Sequence, residues 1–229
     1  MEHNHLVSVI IPVYNSERYV AEAIESVLSQ THRSIEVIVV DDGSTDDSAQ
    51  IVKRYRSVQY YFQPHGGIGS ALNKGIQEAR GSFFAFLDAD DLWTNNKLIR
   101  QMSFLNQNPE PDIVFGHVEH FFSSKIDDNL RRKLRCPDGL MPGYCRGTML
   151  IKRDTFLNIG PFATDWKLGD FVDWYLRATE KGLTSLILPD VLLKRRIHNF
   201  NQGIRNRNYQ RDYVRILKAA LDRQRLKEV

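Results

Sequence analysis

The chain has 229 residues, of which 42% are hydrophobic and 26% are charged. This composition predicts one globular domain over residues 1–229 and excludes a disordered or fibrous protein. Residues 194–229 carry 11 Lys or Arg against three acids, and this +8 within a net charge of +3 leaves the preceding part at −5. The part of the chain before residue 194 is therefore acidic, and residues 194–229 are basic.

The first apolar run bears on where the protein works. It is short, soon meets Pro12 and Asn15, and follows no basic segment, so we expect a strand there and no signal peptide. No stretch approaches the roughly 18 apolar residues that a spanning helix needs. Cys136 and Cys145 are expected to be reduced thiols. We expect a cytoplasmic protein that is at most peripheral to a membrane.

Short apolar runs alternate with segments of helical spacing through the first 100 residues. The runs are VSVII (7–11), IEVIVV (35–40), VQYYF (58–62) and FFAFL (83–87). Between them, apolar residues recur every three or four positions after Val20, Ile51 and Ile68, which predicts three helices. The alternation predicts an α/β fold with a mostly parallel central sheet and helices on both faces.

The later part of the chain is less regular. We predict strands at 112–118, 148–151 and 186–188, and helices at 98–108 and 170–181. Residues 123–146 are rich in Pro and Gly and predict a long loop. A basic amphipathic helix is predicted over 204–229, and its apolar face comprises Tyr209, Tyr213, Leu217 and Leu221.

Two carboxylates follow the second predicted strand, at the sheet edge where this fold class binds ligands. Asp41 and Asp42 are neighbours and repel each other unless something donates hydrogen bonds to them. A nucleobase with ring N–H groups, such as uracil or guanine, would be such a donor, and Tyr14 could stack on its face. The following residues 44–46 could belong to the same site or could equally well form only a turn and a helix cap.

The fourth predicted strand ends in Asp88-Ala89-Asp90-Asp91. Because alternate residues of an extended chain project to one side, Asp88 and Asp90 are predicted to converge, and converging carboxylates need a cation. Mg²⁺ or Mn²⁺ fits, since either ion takes one or two carboxylates and leaves positions for water and phosphate oxygens. The alternative, in which Asp90 or Asp91 only caps the next helix, does not account for Asp88.

Four segments together resemble the family 2 glycosyltransferases, which have the GT-A (Rossmann-like) fold. They are VSVIIPVYNSERYVAEAIESVLSQT, IEVIVVDDGSTDDS, GGIGSALNKGIQEARGSFFAFLDADD and KLGDFVDWYLRA. The resemblance implies an inverting hexosyltransferase of polysaccharide biosynthesis. Its donor would be a nucleoside-diphosphate sugar, with a UDP-sugar as the first choice, and its metal would be Mn²⁺ or Mg²⁺. The acceptor would be a carbohydrate or a lipid-linked molecule. Residues 1–100 would bind the donor, and residues 101–203 would lie on the acceptor side.

The resemblance also implies site residues. At the donor we expect Pro12, Tyr14, Glu17, Asp41, Asp42, Asn73, Lys74 and Asp88, and at the metal Asp88, Asp90, Asp91 and His198. Leu72 stands where the family often has an arginine, so Lys74 or the basic run 194–196 would supply charge for the diphosphate. His198 matches a position where related enzymes often place a histidine at the metal or phosphates, and a structural histidine is the alternative.

In this family a carboxylate on the later helix is the general base that accepts the proton of the acceptor hydroxyl. The usual pattern of the family is Glu-Asp, then an apolar segment and an Arg, with the second acid as the base. When this pattern is aligned on Arg177, Phe171 stands at the position of the base. When it is aligned on Gly169, Asp170 is the base instead. Asp173 lies on the same helix face and is the second candidate, although it could pair with Arg177 at i+4.

Two rival functions remain open at this point. One is a non-catalytic nucleotide-sugar-binding protein that has lost its base, which Phe171 suggests. The other is a different metal-dependent phosphate-handling enzyme, which leaves Asp42 and Tyr14 unexplained. The C-terminal helix either packs on the domain with a solvated cationic face or contacts an anionic membrane surface. Nucleic acid is not an expected partner, because the site lies in the acidic part.

Overall fold

The computed structural model describes residues 5–124, 126–134, 136–201 and 207–227. The helices are Val20–Leu28 (α1), Ser48–Val52 (α2), Ile68–Glu78 (α3), Lys97–Gln107 (α4), Asp128–Lys133 (α5), Arg153–Ile159 (α6), Asp170–Glu180 (α7) and Arg211–Lys227 (α8). The strands are Val7–Val13 (β1), Ile35–Asp41 (β2), Val58–Phe62 (β3), Phe83–Phe86 (β4), Leu92–Trp93 (β5), Ile113–Phe122 (β6), Met141–Gly143 (β7), Leu150–Lys152 (β8) and Ser185–Ile197 (β9). The sheet order is β3-β2-β1-β4-β8-β6-β9-β5, and β7 pairs with β6.

The first four strands run parallel to one another. Alternate residues of β1 and β2 enter two different cores. Val9 and Val39 belong to the core that α1, α2 and α4 cover, whereas Ile10 and Ile38 belong to the core that α3, α6 and α7 cover. This period of two is expected where a strand is buried on both faces. The predicted sheet with helices on both faces is confirmed.

The later strands make the sheet mixed, because β8 is antiparallel to β4 and β5 is antiparallel to β9. The strand predicted at 186–188 is only the start of β9, which has 13 residues and includes the basic run 194–196. Pro189 lacks the N–H that a strand ladder needs, which favoured an early end. The register with β6 shifts after Phe115, from Ile187 to Val191, and this irregularity accommodates the proline.

The prediction of an unbroken loop over 123–146 is wrong. The segment contains α5 and β7, and β7 pairs antiparallel with β6. A 3₁₀ turn at Arg146–Thr148 follows and contacts β4. This pairing brings Arg146 to the end of β4, where the acidic cluster of residues 88–91 begins.

The C-terminal helix α8 packs against α7 through a line different from the predicted apolar face. Ile216 and Ala220 are buried, whereas Tyr213, Leu217 and Leu221 remain 41–55% exposed. Residues 204–206 and 228–229 of the predicted helix lie outside the described residues. In the part of the chain that the structure describes, no helix is both long enough and apolar enough to cross a membrane.

Candidate active site

The loops that follow β1 and β2 lie side by side and are joined by hydrogen bonds. Asn15, in the left-handed region at φ +48°, accepts from the Thr45 N–H at 2.8 Å through Oδ1 and donates its own N–H to Ser44 Oγ at 3.0 Å. The Glu17 N–H donates to Asp46 Oδ2 at 3.0 Å. These bonds fix the loop that carries Glu17, whose side chain is exposed at the sheet edge.

Asp41, the last residue of β2, is buried and is satisfied by the protein itself. Tyr60 on β3 donates its hydroxyl to Oδ2 at 2.8 Å, and the Ser44 N–H donates to Oδ1 at 2.8 Å. Burial and the bond to Asp41 both raise the pKa of Tyr60. Both carboxylate oxygens of Asp41 therefore have donors within the chain.

Asp42 is also buried, and its donors come from the segment after β3. The N–H groups of Gly66 and Gly67 each donate at 2.8 Å, to Oδ1 and Oδ2 respectively, and Gln63 Nε2 donates to Oδ1 at 2.7 Å. His65 Nδ1 lies 2.9 Å from Oδ2. Asp41 and Asp42 therefore do not need a ligand as hydrogen-bond donor, contrary to the expectation from the sequence. A role of Asp42 at a nucleobase stays a prediction.

An exposed aromatic pair lies above Asp42. Pro12 is buried at the end of β1, and Tyr14 emerges just beyond it. The rings of Tyr14 and His65 stack with centroids 4.2 Å apart and planes 27° apart. His65 is not among the predicted site residues, although its position beside Gly66 at the end of a predicted parallel strand was the available signal.

Arg146 joins two acids that are distant in sequence. Its Nη2 donates to Asp88 Oδ1 at 3.0 Å, its Nε donates to the same oxygen at 3.2 Å, and its Nη1 donates to Asp170. Burial alone would lower the pKa of Arg146, but the carboxylates of Asp170 and Asp88 offset this and raise it. Arg146 is not among the site residues predicted from the sequence, because it ends the segment 123–146 that was predicted to be a loop.

Three buried or partly buried side chains hold the backbone that follows Arg146. Trp93 Nε1 donates to the carbonyl of Gly147 at 2.8 Å, and Gln101 Nε2 donates to the carbonyl of Thr148 at 2.7 Å. Lys97 Nζ lies 3.3 Å from the carbonyl of residue 149. Side chains from β5 and α4 thus fix the turn on which Arg146 is placed.

Lys97 is completely buried, which is rare for an ammonium group. Its Nζ donates to Gln101 Oε1 at 2.7 Å and lies 4.2 Å from the centre of the Trp93 ring. In the described ranges of the chain, no acidic side chain forms an ion pair with it. Burial lowers the pKa of Lys97 well below its ordinary value.

Asp90 and Asp91 have different surroundings. Asp90 Oδ2 lies 2.8 Å from His198 Nε2 and accepts from Asn201 Nδ2 at 3.2 Å. Asp91 is buried and accepts from the Arg196 N–H at 2.8 Å. Burial, Asp90 and Asp88 together raise the pKa of Asp91 well above its usual range. The Arg196 N–H already occupies Oδ1 of Asp91, and the role of Asp91 as a metal ligand stays a prediction.

Two of the cations predicted at the diphosphate, Arg196 and Lys74, are paired with acids of the chain. Arg196 donates to Glu22 at 2.7 Å and to the carbonyl of Asp90 at 2.9 Å, so it fixes the acidic loop from behind. Lys74 pairs with Glu78 at 2.5 Å. Asn73, the next predicted donor-binding residue, exchanges two hydrogen bonds with the backbone of residue 162, at 2.8 and 3.0 Å.

The start of α7 is positioned by α8. Gly169 precedes the helix at φ +87°, and a Cβ there would lie 2.7 Å from Ile216 Cδ1, so no larger residue fits without movement. Asp212 of α8 accepts from the N–H groups of Lys167 and Leu168 at 3.1 and 3.3 Å. These contacts place Asp170, the first residue of α7, beside Arg146.

Asp173 faces a different set of partners. Arg177 Nε donates to Asp173 Oδ2 at 3.0 Å, so the predicted i+4 pair is present, and Arg223 Nη1 lies 3.9 Å from Oδ1. Of the two candidate bases, Asp170 shares the Arg146 guanidinium with Asp88, whereas Asp173 pairs with Arg177 within α7 and lies near Arg223 of α8.

In the ranges given above, no group of three or more His, Cys, Asp or Glu is arranged to hold a metal ion.

Comparisons with known proteins show which proteins this chain is similar to. The model of "Glycosyl transferase family 2" matches residues 8–164. An uncharacterized glycosyltransferase of Rickettsia typhi is 34% identical over 210 residues, which is 86% of this chain and 65% of the relative. The putative teichuronic acid biosynthesis glycosyltransferase TuaG of Bacillus subtilis is 40% identical over 140 residues, 59% of this chain and 54% of TuaG. The chain thus spans about two-thirds or less of these curated relatives.

Solved structures match over most of the chain. S. aureus TarS in complex with UDP-GlcNAc has a TM-score of 0.69 and 22% identity, covering 84% of this chain and 59% of that one. Mannosyltransferase PcManGT from Pyrobaculum calidifontis, in complex with GDP-Man and Mn²⁺, has a TM-score of 0.69 and 20% identity, covering 96% and 65%. At these identities the likeness shows the fold, and it confirms the predicted GT-A architecture.

Proposed function

Because the chain belongs to glycosyl transferase family 2, we propose that it transfers a sugar from a nucleoside diphosphate to an acceptor hydroxyl, with inversion at the anomeric carbon. One observation carries the proposal: Arg146 contacts both Asp88 and Asp170. Asp88 is the acid expected at the diphosphate, and Asp170 is the acid expected at the acceptor hydroxyl. Because one guanidinium contacts both acids, this geometry supports a site in which the diphosphate and the acceptor hydroxyl bind next to each other.

We propose that residues 1–100 bind the donor, a UDP-sugar, and that residues 101–203 face the acceptor. TarS, a structural neighbour, was solved with UDP-GlcNAc. The exposed Tyr14 ring offers a flat surface for the base. A carboxylate can accept about four hydrogen bonds, and three donors from the chain already reach Asp42. A base N–H could take the remaining place if His65 turns away from Oδ2.

Asp88 and Asp90 are the residues that would hold a divalent ion. Their side chains are 38% and 26% exposed, and carboxylate oxygens suit Mg²⁺ or Mn²⁺, which are commonly bound through one or two carboxylates. His198, bonded to Asp90, would orient that carboxylate or join it as a ligand. When bound, such an ion offsets negative charge on a departing diphosphate. PcManGT, solved with Mn²⁺, supports this choice of metals.

The proposed chemistry assigns one task to each residue at the Arg146 pair. Asp170 accepts the proton of the acceptor hydroxyl while the hydroxyl oxygen forms its bond to the anomeric carbon. The bond between that carbon and the diphosphate oxygen breaks on the opposite face, and the electron pair leaves with the diphosphate. Arg146 holds and orients the Asp170 carboxylate before the proton moves. Asp173 is occupied by Arg177 and is not assigned a catalytic task.

The test compares two carboxamide variants. We expect Asp170→Asn to slow release of UDP from UDP-GlcNAc, or of GDP from GDP-Man, by about 100-fold or more in the presence of Mn²⁺. Asp173→Asn is the matched control, and it should lower the unfolding temperature while leaving turnover within a few-fold. Thermal stabilisation by UDP with Mn²⁺ should survive in both variants. Full turnover in Asp170→Asn would remove this residue as the base, and nucleotide binding without turnover in the wild type would favour a non-catalytic binding protein.

We also propose that α8 lets the protein contact an anionic membrane surface. Val214, Leu217 and Leu221 are exposed on this helix, and Arg215 and Lys218 lie among them. Exposed apolar side chains flanked by cations suit the headgroup region of anionic lipids. The name of TuaG, a putative glycosyltransferase of teichuronic acid biosynthesis, supports the proposed role in polysaccharide biosynthesis. The wild type should sediment with phosphatidylglycerol vesicles at low salt and Leu217→Glu should not, whereas equal sedimentation of both, or of neither, would contradict the contact.

A further inference from the structure

Four aromatic side chains lie together beside Arg146 and Asp170, and we call them the aromatic platform: Phe115, Tyr144, Phe171 and Tyr175. The rings of Phe171 and Tyr175 stack with centroids 5.9 Å apart, and Tyr144 lies 6.3 Å from Tyr175. Phe115 is fully buried, and its centroid lies 5.4 to 6.3 Å from those of the other three. Phe115 is therefore the floor, and the 53% exposed Tyr144 is the most open member.

The platform is continuous with the Arg146 pair. Phe171 directly follows Asp170 in α7, and Tyr175 lies four residues later on the same helix face. Tyr144 precedes Arg146 by two residues, and Cys145 between them is extended at φ −146° and ψ 160°, so Tyr144 and Arg146 project to the same side. The platform residues are thus direct or near neighbours in the chain of both members of the Arg146–Asp170 pair.

We infer that the aromatic platform is an acceptor subsite that binds the ring of a carbohydrate, and this inference rests on the proposed function. The face of an aromatic ring carries negative charge from its π electrons. One face of a pyranose presents weakly positive C–H groups, and its hydroxyls point outward around the rim. Flat rings therefore match the sugar face, while a rim hydroxyl can reach Asp170.

The inference accounts for Phe171, which stands where the family usually has an acid. The half-buried Phe171 ring stacks on Tyr175 and on Trp174, so it contributes a surface rather than a charge. The acid one position earlier, Asp170, remains beside Arg146. A lipid chain would gain as much from branched aliphatic side chains as from flat rings, so the stacked geometry favours a sugar ring.

The experiment removes the flat faces while keeping the side chains apolar. Saturation-transfer difference NMR is recorded with the methyl β-glycosides of glucose, galactose, mannose and N-acetylglucosamine, and with 1,2-hexanediol as an apolar alcohol without a ring. The protein carries UDP and Mn²⁺. We expect saturation of C–H protons on one face of at least one glycoside, and a loss of affinity of about 2- to 10-fold in Tyr144→Leu and in Phe171→Leu, the range for one aromatic contact.

Three controls make the outcome decisive. Tyr144→Phe keeps the flat face and should bind as the wild type does, and Tyr55→Leu, far from the platform in sequence and bonded to Glu25, should have no effect. Thermal stabilisation by UDP should be unchanged in every variant, so loss of nucleotide binding would count against the proposed function and not against the platform. No saturation of any glycoside, equal affinity in the leucine variants, or equal saturation of 1,2-hexanediol would overturn the inference.

Discussion

Lys97 permits a quantitative prediction, because its ammonium group is fully buried without an acidic partner in the described ranges. Burial lowers its pKa in the folded protein, whereas the unfolded chain keeps the ordinary value of about 10.4. Between these two values the unfolded chain binds more protons at this position than the folded protein does. The free energy of unfolding therefore rises with pH in that range, by up to about 1.4 kcal/mol per pH unit from this group alone.

Lys97→Met keeps most of the side-chain volume and removes the titrating group. We expect the difference in unfolding free energy, wild type minus variant, to increase as the pH rises toward 10. The variant also leaves Gln101 Oε1 without the donor now 2.7 Å away, which costs about 1–3 kcal/mol at every pH and does not change the slope.

The assay is urea unfolding of both proteins at pH 7, 8, 9 and 9.5, followed by tryptophan fluorescence and by circular dichroism. Lys218→Met is the matched control, because Lys218 is exposed on α8 and its removal should leave the slope unchanged. A difference between wild type and Lys97→Met that stays constant over this range, or falls, would refute the reasoning.

Three further substitutions test the geometry of the site. Arg146→Met should lower the free energy of unfolding by about 3–5 kcal/mol, since Asp170 is then buried without its cation, and a loss below 1 kcal/mol in urea unfolding would contradict the pairing. Gly169→Ala should cost about 1–2 kcal/mol from its left-handed backbone, plus crowding against α8, and an unchanged melting temperature would be inconsistent with that conformation. Asn73→Ala should cost about 1–3 kcal/mol through the two bonds to Phe162 while UDP affinity stays constant, and weaker UDP binding would return Asn73 to the donor site.

Elements held by local pattern were predictable from the sequence. β1, β2 and β4 bury both faces and read as continuous apolar runs, and the helices between them keep a regular apolar spacing. β5 has only two residues, and it is a strand because it pairs with β9. β9 can include the buried Arg196 because the guanidinium of this residue pairs with Glu22 of α1. Such elements depend on tertiary contacts that neither period nor propensity encodes.

The same distinction holds at the candidate site. Asp88 and Asp90 could be proposed because they closely follow a predictable strand, and Asp170 because it begins a predictable helix. Arg146 could not, because its contact with them depends on β7 pairing with β6 inside a segment that reads as loop. The opposite error occurred at Asp41, where the donor is a tyrosine hydroxyl of the neighbouring strand and not a ligand.

The contact of Arg146 with both Asp88 and Asp170 has a thermodynamic consequence. A ligand that binds Asp88 changes how strongly Arg146 holds Asp170, and by thermodynamic reciprocity a ligand at Asp170 changes the affinity at Asp88 by the same factor. Under the proposed function, donor and acceptor should therefore change each other's binding free energy by one and the same amount, whichever of them binds first.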